Sequence, residues 1–123
     1  GIEYVEGRYK ESIENLNKFK EKYKKLLKNK EITVVNGNMY DDETLYLFDE
    51  ATIIFTCSTC FSTELMNHIR ERCEKNPNLK YLITQKKLDD VGSLKYLGFI
   101  DTSCSWNSNC NHHIYSNTNA TLK

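Results

Sequence analysis

Glu3 ends an Ile2-Glu3 step that can close a short strand, and Asn36-Gly37-Asn38-Met39 follows a second, β-branched stretch. Those residue types suit a nucleoside. A carboxylate accepts both hydroxyls of a ribose, a polar side chain meets the adenine edge, and an apolar one covers the ring face. Ligands of open parallel sheets collect at the carboxyl ends of the strands, so Glu3, Asn38 and Met39 are the candidate binding residues. Two more strand ends, Cys57-Ser58-Thr59-Cys60-Phe61 and Thr84-Gln85-Lys86, can add groups. Structural alternatives stand beside these readings: an exposed acid near a terminus for Glu3, and ordinary turn chemistry for Asn36-Gly37-Asn38.

The five glycines nowhere form G-x-G, the turn at which backbone approaches a dinucleotide closely. A nucleotide-binding fold here is therefore expected to have its first βα unit outside these residues. The cysteines admit two other chemistries. Cys57-x-x-Cys60, with Cys104, Cys110, His112 and His113, contains enough ligands for zinc, although its second half lacks a standard spacing. Cys57 at a strand end also suits a covalent nucleophile, but no activating base or cation adjoins it in sequence.

Positioning these groups requires a sheet. Apolar residues from Tyr9 to Leu27 fall on one helical face and predict a helix running to about Lys30, with lysines crowding its second half. Glu31–Val35 reads as a strand, and Asp41-Asp42 can cap a short helix carrying Leu45, Leu47 and Phe48. Thr52–Thr56 is apolar without alternation, the pattern of a strand covered on both faces. Ser62 can cap a helix with Leu65, Met66, Ile69 and Cys73 on its inner face, ended by Asn76-Pro77. Tyr81–Thr84 is the next strand, and Lys86 to Gly98 reads mostly as loop or short helix. Two last strands, Phe99–Ser105 and His112–Ser116, flank a polar turn from Asn107 to Asn111. The rhythm predicts an α/β class: a Rossmann-like, mostly parallel sheet with a C-terminal antiparallel strand hairpin, lacking the first β-α unit.

The chain has 123 residues, enough for one domain or part of one, with seventeen basic and seventeen acidic side chains. Zero net charge argues against adhesion to nucleic acid through bulk positive charge, leaving the Lys-rich helix as its one route. No apolar run is long enough to cross a bilayer, so no membrane partner is expected. Five cysteines without a secretory signal predict reduced thiols and an intracellular setting.

Gly1-Ile2-Glu3, a long helix, Asn38-Met39-Tyr40, Ile53-Ile54-Phe55 with Phe61, Glu64 through Arg72, and Ser103-Cys-Ser-Trp106 before a strand follow one another in a familiar order. The series resembles the later part of the catalytic domain of the Dot-type (disruptor of telomeric silencing, non-SET) histone lysine methyltransferases. The resemblance implies that residues 1–119 are part of a class I methyltransferase domain, followed by a frayed tail at Ala120–Lys123. It implies S-adenosylmethionine as cofactor, a protein (histone) lysine as first-choice acceptor, chromatin as the setting and the nucleus as the location. Glu3 then grips the ribose hydroxyls, while Asn38 stands where the family has an Asp to the adenine amino group. Met39 stands where it has an aromatic ring. Acceptor-channel positions fall at Cys57 (a family Asn), Trp106 (a family Trp) and His113 (a family Tyr). The rival expectation is a non-catalytic α/β remnant or partner-binding module that keeps the sheet.

Overall fold

A computed structural model describes residues 1–118; the tail expected at Ala120–Lys123 lies outside them. The chain divides into two compact units, Gly1–Thr44 and Leu45–Lys123.

In the first unit, β1 (Ile2–Glu3) leads into α1 (Glu6–Lys22), and β2 (Val35–Asn36) returns to pair with β1 in parallel. The predicted helix reached Lys30, but regular α-helix stops at Lys22 and gives way to hydrogen-bonded turns through Asn29. Lys18 and Lys22, Lys20 and Lys24, and Lys24 and Lys28 are like-charged i,i+4 neighbours, each pair costing helix stability. No residue of α1 is buried, so packing does not offset that cost. The strand predicted over Glu31–Val35 is likewise shorter, because β1 offers only Ile2 and Glu3 as partners for Val35 and Asn36. A single 3₁₀ turn, Asp42–Thr44, follows.

The second unit holds α2 (Leu45–Glu50), β3 (Ile53–Thr56), α3 (Thr63–Lys75), β4 (Tyr81–Thr84), β5 (Leu94–Cys104) and β6 (Asn107–Asn117). Its four-stranded sheet has the order β3-β4-β6-β5, with β3 parallel to β4 and the other neighbours antiparallel. The α/β class and the C-terminal antiparallel hairpin are as the sequence predicts. The hairpin is longer than expected: β5 begins at Leu94, inside the predicted loop, and the chain reverses at Ser105-Trp106 instead of over Asn107–Asn111. Asn107–Asn111 lies in β6, where Asn111 pairs with Asp101 and Cys110 with Thr102. Polar residues suit a strand there because most of them face solvent.

Ser62 caps α3 by accepting the Leu65 amide at 3.1 Å, and Asn76 ends it, both as predicted. The buried stripe of α3 is Met66, Ile69 and Cys73. With Phe48, Leu79, Leu82, Leu88, Leu94 and Tyr115 it forms the apolar core. Each such side chain contributes about 1.5–3 kcal/mol on full burial.

Thr52–Thr56 departs from expectation. Ile54 and Thr56 turn toward the buried face that carries Leu82 and Tyr115, but Ile53 is 57% exposed and Phe55 52%. Tyr81 and Ile100 are also exposed. The apolar run therefore marks a strand with one buried face and one open face. An uninterrupted run in sequence cannot distinguish that from two-sided cover.

A polar knot joins α3 to the segment before β5. Glu74 accepts hydrogen bonds from the Ser93 hydroxyl (2.6 Å) and amide (2.9 Å) and pairs with Arg70. Gly92 lies against the knot at φ +54°, where an added Cβ would come within 2.8 Å of both Glu74 carboxylate oxygens. Burial alone would raise the Glu74 pKa, but the Ser93 hydrogen bonds and the Arg70 charge outweigh it and hold the carboxyl below its ordinary 4.5. A depressed carboxyl pKa stabilises the fold above the unfolded value, and the gain disappears as pH falls through the folded one. Glu74→Gln is thus expected to lower the urea midpoint at pH 7, with a smaller gap to wild type at pH 3. An equal gap at both pH values would contradict this.

Candidate nucleoside site and strand-end loops

The first unit places Glu3 and Asn38-Met39 at the carboxyl ends of two neighbouring parallel strands. Gly37 donates its amide to the Glu3 carbonyl at 3.1 Å, so Asn38 begins one residue from the β1 tip. Asn36, its amide nitrogen turned toward β1, donates to the carbonyls of Glu3 (3.1 Å) and Tyr4 (3.3 Å). Buried Thr44 holds the following turn, its hydroxyl bridging the carbonyls of Asn38 (3.0 Å) and Asp41 (2.9 Å). A Cβ on residue 37 would sit 2.9 Å from the Thr44 methyl, so glycine is needed there for close approach.

Glu3 is half-buried, and one carboxylate oxygen accepts the Val5 amide at 3.0 Å, which fixes the side chain at the start of α1. Its second oxygen has no partner among the described residues. The Asn38 side-chain oxygen accepts the Tyr40 amide at 3.0 Å, and its NH₂ has no partner among the described residues. An adenine would therefore meet an amide donor first, with the oxygen's second lone pair left for the exocyclic amine. Met39 is half-buried on the same turn. This donor set fits a nucleoside: a carboxylate oxygen for the diol, an amide for the base edge and a thioether for its face.

The second unit contains the three residues that the resemblance implies for an acceptor channel. Cys57 is exposed just beyond β3. His113 pairs with Thr84 in the ladder, and Thr84 with Thr56, so the three share a sheet face. Cys57 comes one pleat later than Thr56. Trp106 stands at the turn of the hairpin, 61% exposed. It precedes the start of β6, and His113 lies six residues further along that strand, or about 20 Å of extended chain. The structure thus sets Trp106 and His113 at separate levels of one hairpin. Tyr96 accompanies His113 instead, its hydroxyl 3.0 Å from Nδ1, with Lys87 over the Tyr96 ring at 4.8 Å. Burial first, then the charges of Lys87 and His112, push the His113 imidazole below its ordinary 6.5.

Cys57 is positioned by a neighbour the sequence reading passed over. Ser58, fully buried, accepts the amides of Gln85 and Lys86 on one hydroxyl, each at 3.0 Å. Thr59 donates to the Gln85 side chain at 2.9 Å, and Lys86 Nζ donates to the Phe61 carbonyl at 2.6 Å. The loops after β3 and β4 are therefore stitched together. His112 was also undervalued: its ring stacks on Phe55, centroids 5.6 Å apart. Strand alternation places His112 and His113 on opposite faces, but their roles emerge only once the register is known.

Cys104 and Cys110 form a disulfide, which corrects the expectation of reduced thiols throughout. The hairpin pairing brings their Cα atoms to 6.2 Å, inside the range such a bond requires. The zinc reading loses two of its ligands, and no three His, Cys, Asp or Glu side chains gather as a metal site among the described residues. Cys73 is buried, and that burial, followed by the Glu74 charge, lifts its thiol pKa to about 12. Iodoacetamide at pH 8 without denaturant should therefore label Cys57 and Cys60 and spare Cys73. Labelling of Cys73 at a comparable rate would contradict the buried placement.

Comparison with known proteins returned no matching family model and no matching curated protein.

Proposed function

We propose that this chain carries the nucleoside-binding part of an S-adenosylmethionine-dependent methyltransferase, with an amine as acceptor and a protein (histone) lysine as first choice. The carrying observation is the juxtaposition of Glu3 and Asn38-Met39 at the tips of the parallel pair β1 and β2, tied by the Gly37 amide. S-adenosylmethionine, when bound, supplies a sulfonium-activated methyl group. Glu3 accepts the ribose hydroxyls, Asn38 reads the base edge and Met39 covers the ring. On the acceptor side, His113 is kept neutral by its surroundings at physiological pH and so adds no positive charge that would repel a protonated amine. Cys57 and Trp106 are exposed side chains available for an acceptor to touch. Intracellular, nuclear placement belongs to the same proposal through the resemblance alone, since the Cys104–Cys110 disulfide removes the reduced-thiol argument for it.

Trp106 favours a second reading, a partner-binding α/β module, because an indole at a solvent-facing hairpin tip is a common anchor for another protein. Calorimetry with S-adenosylhomocysteine separates the two. Under the first reading the chain binds it, and Glu3→Gln weakens binding by about tenfold or more, since hydrogen bonds to a charged group are worth roughly 1.5–3 kcal/mol. Glu3 is not in the core, so the variant is expected to fold. Folded wild-type protein that releases no heat at millimolar ligand would leave the partner-binding module.

A further inference from the structure

The first unit has a feature with no part in the nucleoside reading. Between Lys18 and Lys30 there are seven lysines and a single acid, Glu21. Only Lys18 is ion-paired, with Glu14 at 3.5 Å; the other six have no carboxylate partner among the described residues. Lys20, Lys24, Lys28 and Lys30 line one open concavity of about 430 Å³, with Leu27, Ile32 and one acid, Glu31, also in its wall, so the lysines outnumber the carboxylate there four to one. The turns that follow α1 hold this arrangement, through Leu27 N–H to the Tyr23 carbonyl (3.0 Å) and Lys30 N–H to the Leu27 carbonyl (2.9 Å).

Large apolar side chains project from the same segment: Leu26 is 68% exposed and Phe19 43%. Phe19 also pairs with Tyr23, ring centroids 4.7 Å apart. Leaving Leu26 in water forgoes the gain of burying it. Polyanions in general would satisfy the lysines. An anionic bilayer surface satisfies both sets, with phosphate and carboxylate headgroups against the lysines and the acyl boundary for Leu26 and Phe19. A nucleic-acid backbone offers the charge without the apolar phase.

We propose that the segment Lys18–Ile32 is a peripheral membrane-binding surface, selective for anionic phospholipid headgroups and anchored by Leu26 and Phe19. It needs no spanning helix, and none of the described helices is long and apolar enough to be one. That absence, on which the expectation of no membrane partner rested, bears on spanning a bilayer and not on binding at its surface. The surface is independent of the Glu3 site, so each can fail without the other.

The test is flotation of the chain with vesicles of phosphatidylcholine alone and with 30% phosphatidylserine, alongside a fluorescent single-stranded DNA. Expected is binding to the phosphatidylserine vesicles only, lost at high salt. Each surface lysine is worth about fivefold, so reversing Lys24, Lys25 and Lys28 to Glu should reduce binding by more than a hundredfold. Leu26→Ser should weaken vesicle binding severalfold while leaving any DNA binding unchanged. All four side chains are exposed, which keeps the fold out of the comparison. Equal partition onto both vesicle types, vesicle binding indifferent to Leu26, or binding of DNA in place of vesicles would each overturn the proposal.

Discussion

Asn76→Ala is expected to cost about 3 kcal/mol of unfolding free energy, a large part of a small domain's typical 5–15. Asn76 is fully buried where α3 ends, and its side chain spends every polar atom. The NH₂ group donates to the carbonyls of Phe48 and Ala51, the latter at 2.9 Å, and the oxygen accepts the Asn78 amide at 2.8 Å. Alanine leaves those partners buried or half-buried without a replacement and adds a small cavity. The loss should spread, because Asn117 of β6 donates to the Asn76 carbonyl (2.8 Å) and the Cys73 carbonyl (3.2 Å). One pair of asparagines thus connects α2, α3 and the sheet's central antiparallel strand. Urea denaturation of wild type and variant measures the difference; a loss below about 1 kcal/mol, the worth of an ordinary single hydrogen bond, would contradict the network.

Ser58→Ala carries the second large effect, and it acts on the candidate acceptor loops as well as on stability. Two amides, those of Gln85 and Lys86, share the Ser58 hydroxyl at 3.0 Å each. Removing the oxygen leaves two unsatisfied donors at roughly 1–3 kcal/mol each, so about 2–6 kcal/mol is expected. Before global unfolding, the Gln85 and Lys86 amides should lose protection against hydrogen exchange, and Cys57 should alkylate faster. Ser58→Thr keeps the hydroxyl and should retain much of the protection unless its extra methyl is excluded. Unchanged exchange at Gln85 and Lys86 in the alanine variant would show that the hydroxyl does not hold the loops together.

These two residues differ in how well the sequence announced them. Asn76-Pro77 was readable as the end of α3, and Ser62 as its start, because caps are local chemistry acting within four residues. Ser58 was not readable: a serine between two cysteines gives no sign that a loop 27 residues away will donate to it. The hairpin was partly legible and the disulfide was not. Two adjacent strands could be recognised, but the cluster of asparagines drew the turn away from Ser105-Trp106, and only the register brings Cys104 and Cys110 within bonding range. Burial was the least legible property. Ile53 and Phe55 are apolar in sequence and open in the fold, since what covers a strand face is decided by elements far along the chain.

That Glu3 and the Asn38 turn lie side by side was legible for a physical reason. β1 and β2 are so short that their carboxyl ends can be located without knowing the rest of the fold, and parallel pairing then sets Glu3 beside Asn36 and the Asn38 turn. The acceptor residues follow from resemblance only. On the second unit Trp106 and His113 occupy different levels of the hairpin; Tyr96 and Phe99 lie against His113, and Phe55 lies against His112.

The central claim, that Glu3 and the Asn38 turn hold the nucleoside of S-adenosylmethionine, is tested most directly by an amide NMR titration of uniformly ¹⁵N-labelled chain with S-adenosylhomocysteine. Saturable shifts at Glu3, Gly37, Asn38 and Met39, abolished by Glu3→Gln, are the expected result. Shifts confined to residues beyond Leu45, or none anywhere at millimolar ligand, would contradict it.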